Sequence, residues 1–254
     1  MTTARRGTLL LVPNTLDLGA DAGPLDEVLP AGVLRRAAAL PHWVVENAKT
    51  ARALLKRIDA VVPLAQPLQA LSIVELPRPR KGGPGAVDAR EVEALLAPAQ
   101  AGHDVGLMSE AGLPAVADPG SVLVEAAHRA GIPVQPLTGP SSLMLALAAS
   151  GLNGQSFAFV GYLPTEAGER TARLRELEAH SRRGQQTQLV IETPYRNAAL
   201  LQALLAGLSP ATRLSVSCGL TLPGGWTRTA TVADWRRQPT PMPDRTPAVF
   251  AFLA

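Results

Sequence analysis

The sequence predicts an α/β fold with much parallel sheet, and three observations carry that prediction. Short apolar runs alternate with longer stretches holding Ala and Leu at helical spacing, several of those stretches end on a glycine, and Pro/Gly-rich breaks separate them. In chain order, strands are expected at 8–12, 43–45, 105–108, 134–137, 157–160, 189–191, 214–218 and 249–253. Helices are expected at 50–57, 89–101, 121–130, 141–150, 171–182 and 197–206. Gly102, Gly131, Gly151 and Gly207 stand where a helix needs a residue tolerant of the left-handed conformation at its C-terminal stop. In such a fold the ligand crevice lies beyond the carboxyl ends of the strands, which directs attention to the loops there.

At 254 residues and roughly 150 residues per domain, the chain is long enough for one large domain or two small ones. A break at 137–140, where an extended run hands over to a Ser-rich helix start, reads as a domain joint. The expected division is 1–138 and 139–254. The segment 77–85 holds two prolines before three glycines and a third proline, which no regular ladder tolerates, so it is expected to be a basic surface loop. Prolines 239, 241, 243 and 247 lead into the last strand.

Charge and composition exclude several classes. The net charge is only +3, which allows a nucleic-acid partner without demanding one. A single cysteine, Cys218, rules out an internal disulfide and a cysteine-rich zinc cluster and fits a reducing compartment. The apolar stretch 9–12 after Arg5 and Arg6 is shorter than a signal-peptide core, and Pro63, Gln66, Pro67 and Gln69 interrupt the best central apolar run. The expectation is a cytoplasmic protein with no membrane span. The chain holds no GxGxxG, Walker A, HExxH or GxSxG pattern, and its four histidines are scattered and expected at the surface or at helix ends. No metal site is expected.

Three loops carry chemistry. Ser109, Glu110, Ala111, Gly112 and Leu113 follow the strand 105–108 directly, and so many small residues let backbone approach a ligand closely. Further along this stretch, Asp118 and Pro119 suit the N-cap and first position of the next helix. Gly139, Pro140, Ser141 and Ser142 form a second strand-to-helix handover, which reads equally as an ordinary serine cap or as amides and hydroxyls offered to a nucleoside or carboxylate. Glu46, Asn47, Lys49 and Arg52 form a third, after strand 43–45. They either face the crevice mouth or serve as a cap and a solvated face.

In this order, the loops resemble the tetrapyrrole methylase superfamily of S-adenosylmethionine-dependent methyltransferases, nearly from end to end. The residues carrying the resemblance are 7–13, the Glu46 segment, 109–114 with Asp118-Pro119-Gly120, 139–142, 150–152, 161–164 and 192–196. The Ser-Glu-Ala-Gly to Asp-Pro-Gly run is the most specific of them. The resemblance implies a two-domain α/β fold, each domain a sheet flanked by helices, with the cofactor between the domains and no Rossmann fingerprint. It also implies a homodimer, and a reaction at a ribose 2'-hydroxyl of small-subunit ribosomal RNA.

Carried over residue by residue, cofactor contacts fall on Pro13, Ser109, Glu110, Ala111, Gly112, Leu113, Ser141 and Ser142, and further on Glu192 and Ala230. The Glu46 segment falls on the acceptor side. The family's Thr-Pro-Ile-Gly-Asn is replaced by Pro13-Asn14-Thr15-Leu16-Asp17, and its Glu-Asp-Thr-Arg by Glu46-Asn47-Ala48-Lys49. Methyl transfer from a sulfonium is an in-line displacement governed by positioning, with no metal and no covalent intermediate required. For a hydroxyl acceptor, Glu46 is the candidate base and Lys49 the group that orients or neutralises the acceptor. A tetrapyrrole-like acceptor, or a cofactor-binding module without turnover, are the alternatives. Ribosomal RNA is expected to meet Arg78, Arg80 and Lys81, helped by Arg170, Arg173 and Arg175.

Overall fold

The computed structural model describes residues 5–18, 23–78 and 87–254. The chain divides into two compact units, Met1–Pro140 and Ser141–Ala254.

The first unit runs β1 (Leu9–Leu11), α1 (Ala31–Ala38), β2 (His42–Val45), α2 (Ala48–Asp59), β3 (Ser72–Glu75), α3 (Ala89–Ala94), α4 (Ala97–Gln100), β4 (Val105–Met108), α5 (Ser121–Arg129) and β5 (Val134–Pro136). Its sheet has the order β3-β2-β4-β1-β5, and every neighbouring pair is parallel. Successive strand residues alternate between two apolar clusters. Leu10, Trp43, Val45 and Met108 face α1 and α2, whereas Leu9, Val44 and Leu107 face α3, α4 and α5. Both faces are covered, which is why β4 reads as four consecutive buried residues rather than an alternating strand. Gly106 is required there, because a Cβ at that position would lie 2.6 Å from the Trp43 ring.

The second unit runs α6 (Ser142–Ser150), β6 (Phe157–Tyr162), α7 (Ala167–Gly184), β7 (Thr187–Ile191), α8 (Asn197–Gly207), β8 (Arg213–Cys218), β9 (Trp226–Thr231), α9 (Val232–Arg237) and β10 (Ala248–Leu253). Its sheet is β6-β7-β10-β8-β9, and here the expectation of parallel pairing fails beyond one pair. Only β6 and β7, joined through α7, run parallel; β10 is antiparallel to β7 and β8, and β8 to β9. The short 219–225 link makes β8 and β9 a hairpin-like antiparallel pair, since a parallel crossover needs a dozen or more residues. Leu189, Val249 and Ala251 pack against Leu143, Ala146 and Leu147 of α6. Val190, Val216, Phe250 and Phe252 pack on the other face with α7, α8 and α9.

Four further expectations are corrected. Gly207 is not a left-handed stop: it is the last residue of α8, which ends on Leu208 in extended conformation. The helix at 89–101 is two helices with a break at Leu95 and Leu96, where Pro98 enters the first turn of α4. Elements α1, β3, β9 and α9 were not foreseen; β9 in particular has the polar run Thr227-Arg228-Thr229 and no apolar signature. The histidines are not all surface or helix-end residues: His42 starts β2 half-buried, with its ring centroid 5.5 Å from that of His103.

Candidate active site

The strand order of the first sheet fixes where its crevice opens. Strands β1 and β4 are neighbours, yet the chain leaves β1 toward β2 on one side and leaves β4 toward β5 on the other. After β1 the chain passes to the face covered by α1 and α2, and after β4 to the face covered by α5; loops that part to opposite faces of a parallel sheet open a crevice at the carboxyl ends of their strands, the standard ligand position in such sheets. The loop after β1 and the loop after β4 meet there as an isolated antiparallel bridge, Asn14 to Gly112. Gly139 crosses close by, where a Cβ would stand 2.2 Å from the Cβ of Pro13.

Asn14 is 4% exposed. Its Nδ2 donates to the carbonyls of Ser109 and Glu110, 3.0 Å each, and its Oδ1 accepts from the Thr15 amide at 2.8 Å. The Asn14 amide donates to the Gly112 carbonyl at 2.9 Å, and the Gly112 amide donates to the Thr15 carbonyl at 3.3 Å. Thr15 Oγ1 donates to Asp17 Oδ1 at 2.6 Å, and Asp17 pairs with Arg57 of α2 at 2.9 Å. From the other side, Glu46 Oε2 accepts the Glu110 amide at 3.0 Å. The buried Ser109 hydroxyl has no partner, and among the described residues neither the amide nor the carbonyl of Ala111 has one either.

A cavity of about 740 Å³ opens beside this loop within the first unit. Glu46 and Asn47 line it from the end of β2, Leu76 and Arg78 from the end of β3, Glu110 from the loop after β4, and Ser121 from the start of α5. Asn47 is the N-cap of α2, accepting the Lys49 and Thr50 amides. Lys49 is exposed on the first turn of that helix.

Asp118 is not the cap of α5. The helix starts at Ser121 behind Gly120, which adopts φ +129° and offers no side chain, so Pro119 lies outside the helix. Freed from that task, Asp118 stands half-buried in reach of two other carboxylates. Burial first, then the charge of Glu46, then that of Glu110, push its pKa up to about 7. The aspartate is thus part-protonated near neutrality, which its sequence context did not signal.

Of the expected contact residues, Pro13, Ser109, Glu110, Ala111, Gly112, Leu113 and Glu46 belong to the first unit, and the two loops and the end of β2 bring them together. Arg78 is described and exposed, whereas Arg80 and Lys81 lie outside the described residues. In the second unit, Ser141 is the N-cap of α6 without a side-chain cap bond, and Ser142 is the helix's first residue. Glu192 follows β7; its Oε1 accepts the Thr193 amide at 2.8 Å and its Oε2 pairs with Arg196 at 3.2 Å. Ala230 lies on β9 opposite Leu214 of β8, its methyl packed in the cluster of Val216 and Trp235.

A family model for the Tetrapyrrole (Corrin/Porphyrin) Methylases matches residues 48–234. A ribosomal RNA small subunit methyltransferase I of Mesorhizobium japonicum is 40% identical over 127 residues, 50% of this chain and 42% of that protein. The matched stretch therefore spans less than half the length of that relative. Among solved structures, the methyltransferase CobJ superposes with a TM-score of 0.58 at 19% identity, covering 96% of this chain and 93% of its own. A uroporphyrin-III C-methyl transferase from Thermus thermophilus, complexed with S-adenosyl homocysteine, gives 0.50 at 18%, covering 97% of each chain.

Proposed function

The chain belongs to the tetrapyrrole (corrin/porphyrin) methylases, and from that premise we propose that it is an S-adenosylmethionine-dependent methyltransferase acting on a ribose 2'-hydroxyl of small-subunit ribosomal RNA. The observation that carries the acceptor is the 40% identity to a relative named for ribosomal RNA small subunit methylation. The cofactor reading is supported by the loop 109–113 at the β1–β4 gap, with its small residues, unpartnered Ser109 hydroxyl and open Ala111 peptide groups. Those groups suit an adenosyl ligand, which needs close backbone approach and a few polar contacts. Pro13, Ser109, Glu110, Ala111, Gly112 and Leu113 would hold it.

S-adenosylmethionine, when bound, supplies an electrophilic methyl group on a sulfonium. The chain's own contribution is positioning, an effect worth up to roughly 7–11 kcal/mol when reacting atoms are held in line. The 740 Å³ cavity is of a size to take a nucleotide, with Arg78 on one wall for a phosphate and the carboxylates on another for the ribose. Glu46, held in place by the Glu110 amide, accepts the proton that the hydroxyl loses as its oxygen takes the methyl group. Lys49 orients or neutralises the acceptor, and Asp118 keeps a proton beside Glu46 and limits the charge of the acidic wall.

Labelled methyl from S-adenosylmethionine, offered with small ribosomal subunits and separately with corrin and porphyrin precursors, tests the reading. Label is expected in ribose of the ribosomal RNA. Label in the tetrapyrroles instead would move the acceptor to a small molecule, and cofactor binding with no transfer to either would leave a binding module. The same reading places the protein in the cytoplasm as a homodimer, checked by a dimer mass in light scattering. Among the described residues no helix is long and apolar enough to cross a membrane.

A further inference from the structure

We propose that Asn14 is a positioning residue, whose buried side chain holds loop 109–113 in the shape that presents the Ala111 peptide groups to the cofactor. The inference rests on the cofactor reading above and adds to it the residue that sets the loop's geometry. The loop is gripped on both sides of Ala111. Before it, the carbonyls of Ser109 and Glu110 both accept from Asn14 Nδ2; after it, Gly112 exchanges backbone bonds with Asn14 and Thr15. The Glu110 amide is taken by Glu46. Between Glu110 and Gly112 these clamps leave unused only the N–H and C=O of Ala111, so the grip selects which peptide groups remain for a ligand.

The chemistry asks for asparagine at this point. Two donors must reach two adjacent carbonyls while an acceptor takes the Thr15 amide, and only a short carboxamide supplies both from one side chain. Aspartate keeps the acceptor and loses both donors, setting a carboxylate oxygen against two carbonyl oxygens. Leucine has the shape and none of the bonds.

The test uses the full chain, with S-adenosylhomocysteine as calorimetric probe and S-adenosylmethionine as substrate. Asn14→Asp and Asn14→Ala are expected to weaken S-adenosylhomocysteine binding by about tenfold or more, since two hydrogen bonds to buried carbonyls are removed. The KM for S-adenosylmethionine should rise by a similar factor, a larger change than in kcat at saturating cofactor. Amide exchange at Glu110 and Gly112 of Asn14→Asp should quicken while the β4 amides keep their protection, a pattern that general loss of stability does not produce. Wild-type affinity in both variants, or equal quickening throughout β4, would overturn the positioning role. If the unaltered protein itself fails to bind S-adenosylhomocysteine, the cofactor reading falls, and this inference with it; normal binding by the wild type together with normal binding by the variants overturns the role of Asn14 alone.

Discussion

Asp118 shows how one carboxyl can change character through its surroundings. Its folded pKa of about 7 stands above the ordinary 3.8, so between those values the folded state holds a proton that the unfolded state has released. Stability from this group therefore falls as pH rises from about 4 toward 7 and is level beyond. Asp118→Asn, which stays neutral at every pH, is expected to unfold with the wild type at pH 4 and later than it at pH 8. The gain should be about 2–4 °C, the shift that ~1 kcal/mol makes in a chain of this size, since solvent screening at a half-buried site discounts the full linkage value. In the wild type, carbon NMR should find this carboxyl titrating near 7, and Glu46→Gln should lower that midpoint by removing a like charge. A midpoint near 4 would count against the carboxylate cluster as drawn. The Asp-Pro pair has the local signature of a helix cap, because caps depend on residues adjacent in the chain. The raised pKa was invisible because Glu46 is distant in the chain and burial is decided by the fold.

Between elements, the clearest anchor is Glu178 of α7. Its Oε1 accepts from the Ser209 amide at 2.7 Å and Thr212 Oγ1 at 2.5 Å, and its Oε2 accepts from Ser209 Oγ at 2.9 Å, tying α7 to the α8–β8 connection. Burial by itself raises this carboxyl, but the bonds from Thr212 and Ser209, with Arg182 nearby, outweigh it and bring the pKa below the usual 4.5. A lowered pKa means stability present above the ordinary value and lost as pH falls through the folded one. Glu178→Gln, which replaces one acceptor oxygen by a donor, is expected to cost about 1.5–3 kcal/mol at pH 7 by urea unfolding, a gap that narrows toward pH 3. An equal cost at both pH values would mean the charge is irrelevant. Strand and helix alternation was legible from periodicity, and so were most elements. The direction of the second sheet was not, because β9 is a polar strand, and without it the short return from β8 could not be recognised.

At the scale of the molecule, binding to a folded RNA would rest on few charges. The net charge is only +3, Arg173 is engaged with Glu176 at 2.6 Å, and Arg170 donates to the carbonyls of Pro164 and Thr165. Of the expected contacts, the weight therefore falls on exposed Arg175 and on the segment with Arg78, Arg80 and Lys81. Changing Arg78, Arg80 and Lys81 together to Ala should weaken ribosomal RNA binding and flatten its log–log salt slope by roughly 0.7–0.9 for each phosphate no longer neutralised, with S-adenosylhomocysteine affinity unchanged. An unaltered slope would remove this segment from the interface. By itself, the sequence determined what depends on neighbours a few residues apart: the α/β alternation, the glycine stops at Gly102, Gly131 and Gly151, and the place of the 109–113 loop at a strand's end. The tertiary structure alone decided what depends on residues far apart in the chain. Asn14 meets the Ser109 carbonyl across 95 positions and Glu46 meets the Glu110 amide across 64. Such pairs arise only once β1, β2 and β4 are packed side by side, and no local pattern encodes which carbonyl a distant side chain will reach.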